Sequence, residues 1–243
     1  MKKAIIYEQI KKVAIITINL PEKKNSLDHQ SISDLSVAWK KFEKSSNKVA
    51  IITSLGDYFC AGVDLKNIPD ASYAVPGIGV KVTKPIIASV NGPAIGLGLT
   101  LAMQSDLCIA SKNSYFLYPE AKIGYTGGLI SGLVAKIPYK NAMEILLLGK
   151  KINAKRAFEV GLINEIVEES QTLVRAKEIA FEISELSSTV ITAIKSEVNH
   201  TMPKSPAEIS GRFLNRILSV KNSDDRIEGL KAFNEKRKAI FNK

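Results

Sequence analysis

Histidine and cysteine are scarce, two of each in 243 residues. His29 and His200 have no cysteine or histidine neighbour at ligand spacing, so a zinc site lacks donors, and both read as surface residues. Cys60 and Cys108 lie in apolar segments and read as buried free thiols of a reducing compartment. The sequence also lacks a G-x-S-x-G nucleophile elbow, the Lys-Ser/Thr pair of a phosphate loop and the G-x-G-x-x-G of a dinucleotide fold. There is no repeat at a solenoid period and no low-complexity tract, which leaves a single mixed fold. The start, MKKAIIYEQIKK, has too short an apolar run before Glu8 for a secretory signal, so the expected location is the cytoplasm.

Negative charge is the minority sign. Lys and Arg outnumber Asp and Glu by 34 to 24, a net charge of +10 that favours anionic partners. The lysine pairs at Lys2–Lys3, Lys11–Lys12, Lys23–Lys24 and Lys150–Lys151 are not interleaved with aromatics, as a base-stacking surface would be. Neither a zinc finger nor an RNP-like motif occurs, so no nucleic-acid partner is expected. A solvated basic surface or a basic rim for a polyphosphate ligand remains.

The apolar pattern alternates between strand and helix. KKAIIYEQI and KKVAIITINL read as adjacent strands. PEKKNSLD is a loop ending in a helix cap at Ser26 or Asp28, and Ile32, Leu35, Trp39 and Phe42 then mark an amphipathic helix. VAIITS, PIIASV, DLCIAS and SYFLY read as further strands, with crossover spacing. From Gly127 the pattern is mostly helical: GGLISGLVAKI, NAMEILLLGKK and NAKRAFEVG, interrupted by the strand-like LINEIV. Pro203 and Pro206 should break the helices of the tail. The expected organisation is an α/β core over residues 1–190 and a helical region over 191–243.

One run, Pro85–Ser105 (PIIASVNGPAIGLGLTLAMQS), has no ionisable side chain. Asn91, Gly92 and Pro93 at its middle argue against a membrane span, so no membrane partner is expected. It reads as strand, tight turn and buried helix. YFCAGVDL has the same character, with glycine in a turn, an apolar flank and an Asp to cap the next segment. Two such turns can each aim a backbone N–H at one point, as in an oxyanion hole. YFLYPEAKIGYTGG adds Glu120 in an apolar, aromatic setting, where desolvation favours a stronger base. Together these equip a site to remove a proton next to a carbonyl.

At this level the chain resembles the crotonase superfamily, the enoyl-CoA hydratase/isomerase group, over nearly its whole length. NLPEKKNSL, YFCAGVDL, KPIIASVNGPAIGLGLTLAMQSDLCIAS and FLYPEAKIG are similar to four of its segments in order. GKKINAKRAFEVGLINEIV and DDRIEGLKAFNEKRKAIF are similar to two later ones. The resemblance implies a crotonase-like spiral of β-β-α units with a C-terminal helical trimerisation region, assembled as a homotrimer or a dimer of trimers. It implies an acyl-CoA substrate and no separate cofactor, because coenzyme A is part of that substrate. Carried over by position, the oxyanion N–H groups fall on Val63 and Leu97, and the proton shuttle on Glu120. Contacts to coenzyme A fall on Lys23, Lys24, Asp64, Leu65, Lys66, Phe233 and Lys236.

The sequence departs from the hydratase pattern at one position. Family hydratases carry two glutamates that hold and activate water, and the first falls here on Thr100, an accessory candidate that cannot take water's proton near neutral pH. One base suffices to move a proton between two carbons, the 3-enoyl to 2-enoyl shift of the family's isomerases. Hydration of an enoyl-CoA and acyl-CoA binding without chemistry are the alternatives. The connection from Asp64 to Lys84, which in the family helps to wall the acyl pocket, is short.

Overall fold

A computed structural model of the chain describes residues 3–221 and 223–241. Strands β1 (Ile5–Ile10) and β2 (Val13–Ile18) form an antiparallel hairpin whose turn places Lys11 at φ 53°. Strand β3 (Val49–Ser54) pairs parallel with β2, and β4 (Ile86–Val90) pairs parallel with β3. The long sheet continues through β6 (Leu107–Ser111) and β9 (Glu165–Val167), in the order β1-β2-β3-β4-β6-β9. Strands β2, β3 and β4 are buried along their whole length, as a parallel sheet covered on both faces requires.

Alternation along the strands divides the two faces. Ala14, Ile16, Ile18, Ala50 and Ile52 face helix α1 (His29–Lys44), which buries Ile32, Leu35, Trp39 and Phe42 at the expected spacing. Val13, Val49, Ile51, Ile87 and Ile109 face helix α6 (Thr172–Glu185), whose Ala176 and Ala180 allow close approach. Asp28 caps α1 through a reciprocal box with Ser31, and the Trp39 indole donates to the Ala74 carbonyl at 3.0 Å.

A second, short sheet lies across the turns that follow the long strands. It joins β5 (Ala94–Ile95), β7 (Tyr115–Leu117) and β8 (Ile152–Asn153), and two parallel bridges, Cys60 to Ala94 and Leu27 to Val63, extend it. Each pass of the chain thus adds a long strand to one sheet and a short segment to the other, the spiral that the resemblance implied. Helix α2 (Leu97–Gln104) follows β5 and is buried through Met103.

The remaining helices are α3 (Glu120–Ile123), α4 (Tyr139–Leu148), α5 (Ala154–Glu159), α7 (Ser188–Thr201), α8 (Pro206–Lys221) and α9 (Asp224–Asn234). Residue 190 lies in the first turn of α7. The break between α7 and α8 falls at the prolines, and Ser205 and Glu208 cap α8 reciprocally. GGLISGLVAKI is not an α-helix: Leu129–Ala135 forms tight three-residue turns, with Gly132 against the Glu208 carboxylate.

Candidate active site

The NLPEKKNSL loop is held by one buried side chain. Asn25, in the left-handed region at φ 56°, accepts from the Leu20 N–H at 2.8 Å. It donates to the carbonyls of Leu55 and Tyr58 at 2.8 and 2.6 Å, which ties the loop to the end of β3 and to the first glycine turn. Beyond that point the Leu27 N–H bonds the Gly62 carbonyl, and the Asp64 N–H bonds the Leu27 carbonyl, both at 2.9 Å. A trans peptide points its C=O and N–H in opposite directions. With the Gly62 carbonyl turned to Leu27, the Val63 N–H points to the other side, where Cys60 already pairs with Ala94.

The second turn is anchored by Asn91, which accepts from the Ser54 hydroxyl and donates to the Gly56 carbonyl, both at 2.7 Å. The Gly96 carbonyl accepts the Thr100 N–H at 3.1 Å and the Thr100 hydroxyl at 3.2 Å, so it points along α2. Across the same peptide the Leu97 N–H leaves the N-terminal end of the helix, where it has no intrahelical acceptor. Neither the Val63 nor the Leu97 N–H donates to any described residue.

Glycine brings the two turns into backbone contact. A Cβ on Gly98 would lie 2.4 Å from the Cys60 carbonyl oxygen, and one on Gly62, at φ 104°, would lie 3.3 Å from the Ile95 carbonyl oxygen. Glu120 is tied to the same frame. Gly96 donates to the Leu117 carbonyl at 2.9 Å, and Tyr118 and Pro119 then lead into Glu120 at the start of α3.

The surroundings of Glu120 differ from the apolar setting expected. Its carboxylate is half-buried and accepts a short hydrogen bond from the Tyr118 hydroxyl and a 3.2 Å bond from the Gly127 N–H. Burial, and then the bond to Glu120, raise the Tyr118 pKa, so this phenol is a donor at neutral pH. Sequence reasoning does not single out Tyr118 as part of the site. Thr100 is 2% exposed and its hydroxyl is committed to Gly96.

The expected coenzyme A contacts are partly assembled. Lys23 pairs with Asp28 at 3.5 Å, and the Lys24 ammonium lies 5.2 Å from the Tyr58 ring centroid. Asp64 accepts from the Lys66 N–H at 3.0 Å, and Leu65 and Lys66 are exposed beside the first turn. Phe233 and Lys236 are not brought there: α9 packs on α8, and Phe233 is 82% exposed. His29 bonds Asn67 and His200 bonds the Ser196 carbonyl, and neither bonds Glu120. Burial pushes the Cys60 and Cys108 thiols up to about 12, which makes neither a nucleophile. Among the described residues there is no group of three metal-binding side chains, and no helix is long and apolar enough to cross a membrane. A cavity of about 590 Å³, lined by Lys81, Gln104, Lys136 and Lys195, opens at the C-terminal end of α2, away from the two turns.

Comparison with known proteins agrees with this fold. The family model for enoyl-CoA hydratase/isomerase matches residues 8–243. The chain is 35% identical to (E)-benzylidenesuccinyl-CoA hydratase of Thauera aromatica, covering 94% of this chain and 95% of that one. It is 32% identical to carnitinyl-CoA dehydratase of Escherichia coli strain K12, over 93% of each. Among solved structures it is similar to carnitinyl-CoA hydratase from Mycobacterium avium, with a TM-score of 0.77, 30% identity and 99% of each chain covered. The chain is therefore an enzyme of the enoyl-CoA hydratase/isomerase family, within the crotonase superfamily.

Proposed function

We propose that this enzyme moves a double bond along the acyl chain of a coenzyme A thioester, from the 3-enoyl to the 2-enoyl position. In this reading the thioester oxygen sits between the Val63 and Leu97 N–H groups. Glu120 takes a proton from the α-carbon, and the electron pair moves toward the thioester oxygen as an enolate. The same carboxyl, whose proton also exchanges with solvent, returns a proton to the α-carbon or to the γ-carbon, and return at the γ-carbon leaves the double bond between the α- and β-carbons. No group beyond the substrate enters the balance. Lys23, Lys24 and Lys66 are proposed to meet coenzyme A.

The observation that carries the reading is that Glu120 has no carboxylate on α2 to work with, since Leu97–Gln104 carries none. The position of the hydratases' first glutamate holds Thr100, whose hydroxyl is already bonded to Gly96. Hydration is the second reading, favoured by the relatives named hydratases. Glu120→Gln tests the base directly. Proton exchange at the α-carbon of 3-hexenoyl-CoA in D2O should fall by about 10²- to 10⁴-fold while the thioester still binds. Undiminished exchange would remove Glu120 from the mechanism.

A homotrimer, or a dimer of trimers, is part of the same proposal. Helices α7, α8 and α9 expose apolar residues at helical spacing, among them Val190, Ile194 and Val198, then Ile209, Phe213 and Ile217. Such a surface is more apolar than a monomer commonly leaves in water. Light scattering should give three or six copies, and a stable monomer would contradict this.

A further inference from the structure

The two oxygens of Glu120 are not equivalent. Oε2 accepts both hydrogen bonds, from the Tyr118 hydroxyl and from the Gly127 N–H, whereas no described residue bonds Oε1. Tyr118 is itself fixed: it is 5% exposed, and its hydroxyl also lies 3.4 Å from the Thr126 hydroxyl. Thr126 accepts in turn from the Gly128 N–H at 3.1 Å. A closed set of contacts therefore runs from Gly127 and Gly128, through Thr126 and Tyr118, to one carboxylate oxygen. The loop that carries it turns at Gly124 and Gly128, with φ of 68° and 67°, where a side chain would be strained.

We propose that Tyr118 is a positioning residue for the Glu120 base, holding Oε2 so that Oε1 is the atom that takes the proton and returns it. This rests on the reading of Glu120 as the base. A carboxyl that must serve two carbons of one substrate gains from a fixed pivot. One oxygen stays with the protein while the other faces both positions, and no rotamer search intervenes between abstraction and return. The donor has to remain protonated throughout. Burial and the bond to the carboxylate both hold the Tyr118 proton in place.

Tyr118→Phe removes the hydroxyl and keeps the ring. A hydrogen bond to a charged group has the strength to change a rate by about 10- to 100-fold. The expected result is a fall of that size in kcat for α-carbon exchange of 3-hexenoyl-CoA in D2O, with KM within about two-fold. A residue that only fills the core would move the thermal midpoint and leave kcat in place, so both are recorded. Tyr118→Phe with unchanged kcat, or with its loss confined to KM, overturns the proposal. Glu120→Gln run beside it separates the two failures. If that variant loses exchange and Tyr118→Phe does not, the Tyr118 inference alone falls. If Glu120→Gln keeps full exchange, the base assignment falls, and the Tyr118 inference falls with it.

Discussion

Adding one methyl group at Gly98 tests whether the two glycine turns act together. A Cβ at this position would sit 2.4 Å from the Cys60 carbonyl oxygen, 3.0 Å from the Cys60 Cβ and 3.2 Å from its carbonyl carbon. The first distance is about 1 Å short of the separation at which side-chain carbons normally rest, and the atom it meets is backbone. Gly98→Ala must therefore push α2 and the Cys60 turn apart by about that much. The displacement has two costs. Overpacking destabilises the fold by about 1–3 kcal/mol. Separating the Val63 and Leu97 N–H groups by about 1 Å lowers the exchange rate by roughly 10²-fold. Gly161→Ala is the control. Its Cβ meets nothing within 4 Å, but its φ of 77° strains an alanine by about 1–2 kcal/mol. Both variants lose comparable stability, and only Gly98→Ala should lose exchange of 3-hexenoyl-CoA in D2O. Wild-type exchange in Gly98→Ala, with the fold intact, would refute the pairing of the turns.

A second prediction concerns the helix behind the first turn. Asp28→Ala removes the cap of α1 and should cost about 1 kcal/mol near pH 7, read as a lower midpoint in urea. The Asp28 carboxyl is held below its ordinary value of 3.8, first by the Ser31 N–H and then by the Ser31 hydroxyl and Lys23. Its contribution is present above that value and fades as pH falls through the lower folded-state value, so the gap between wild type and variant should narrow below about pH 4. A gap that stays constant into acid would mean that the cap does not depend on the charge.

Much of this fold can be read locally. The β1–β2 hairpin, α1 with its cap and the break at Pro203 and Pro206 each stem from periodicity or backbone restriction within a few residues. The region over Leu129–Ala135 cannot be read that way. Its apolar spacing suits a helix, and only the packing of Gly132 against Glu208, far along the chain, shows a tighter path. The site divides similarly. Gly62, Gly98 and Glu120 stand out as residue types, but contact between the turns depends on the approach of Gly98 to Cys60. The setting of Glu120 reads as apolar because Tyr118 and its neighbours are aromatic. Folding turns the Tyr118 hydroxyl and the Gly127 N–H onto the carboxylate, and nothing in the spacing of these residues announces that.

The most direct test of one-base chemistry is the product distribution. Purified enzyme is incubated separately with 3-hexenoyl-CoA and 2-hexenoyl-CoA, and the thioesters are separated and identified by mass. A site with Glu120 as its base and no carboxylate on α2 should convert the 3-enoyl ester to the 2-enoyl ester much faster than it adds water to either. Rapid gain of water by the 2-enoyl ester, without movement of the double bond in the 3-enoyl ester, would contradict the account and make this enzyme a hydratase.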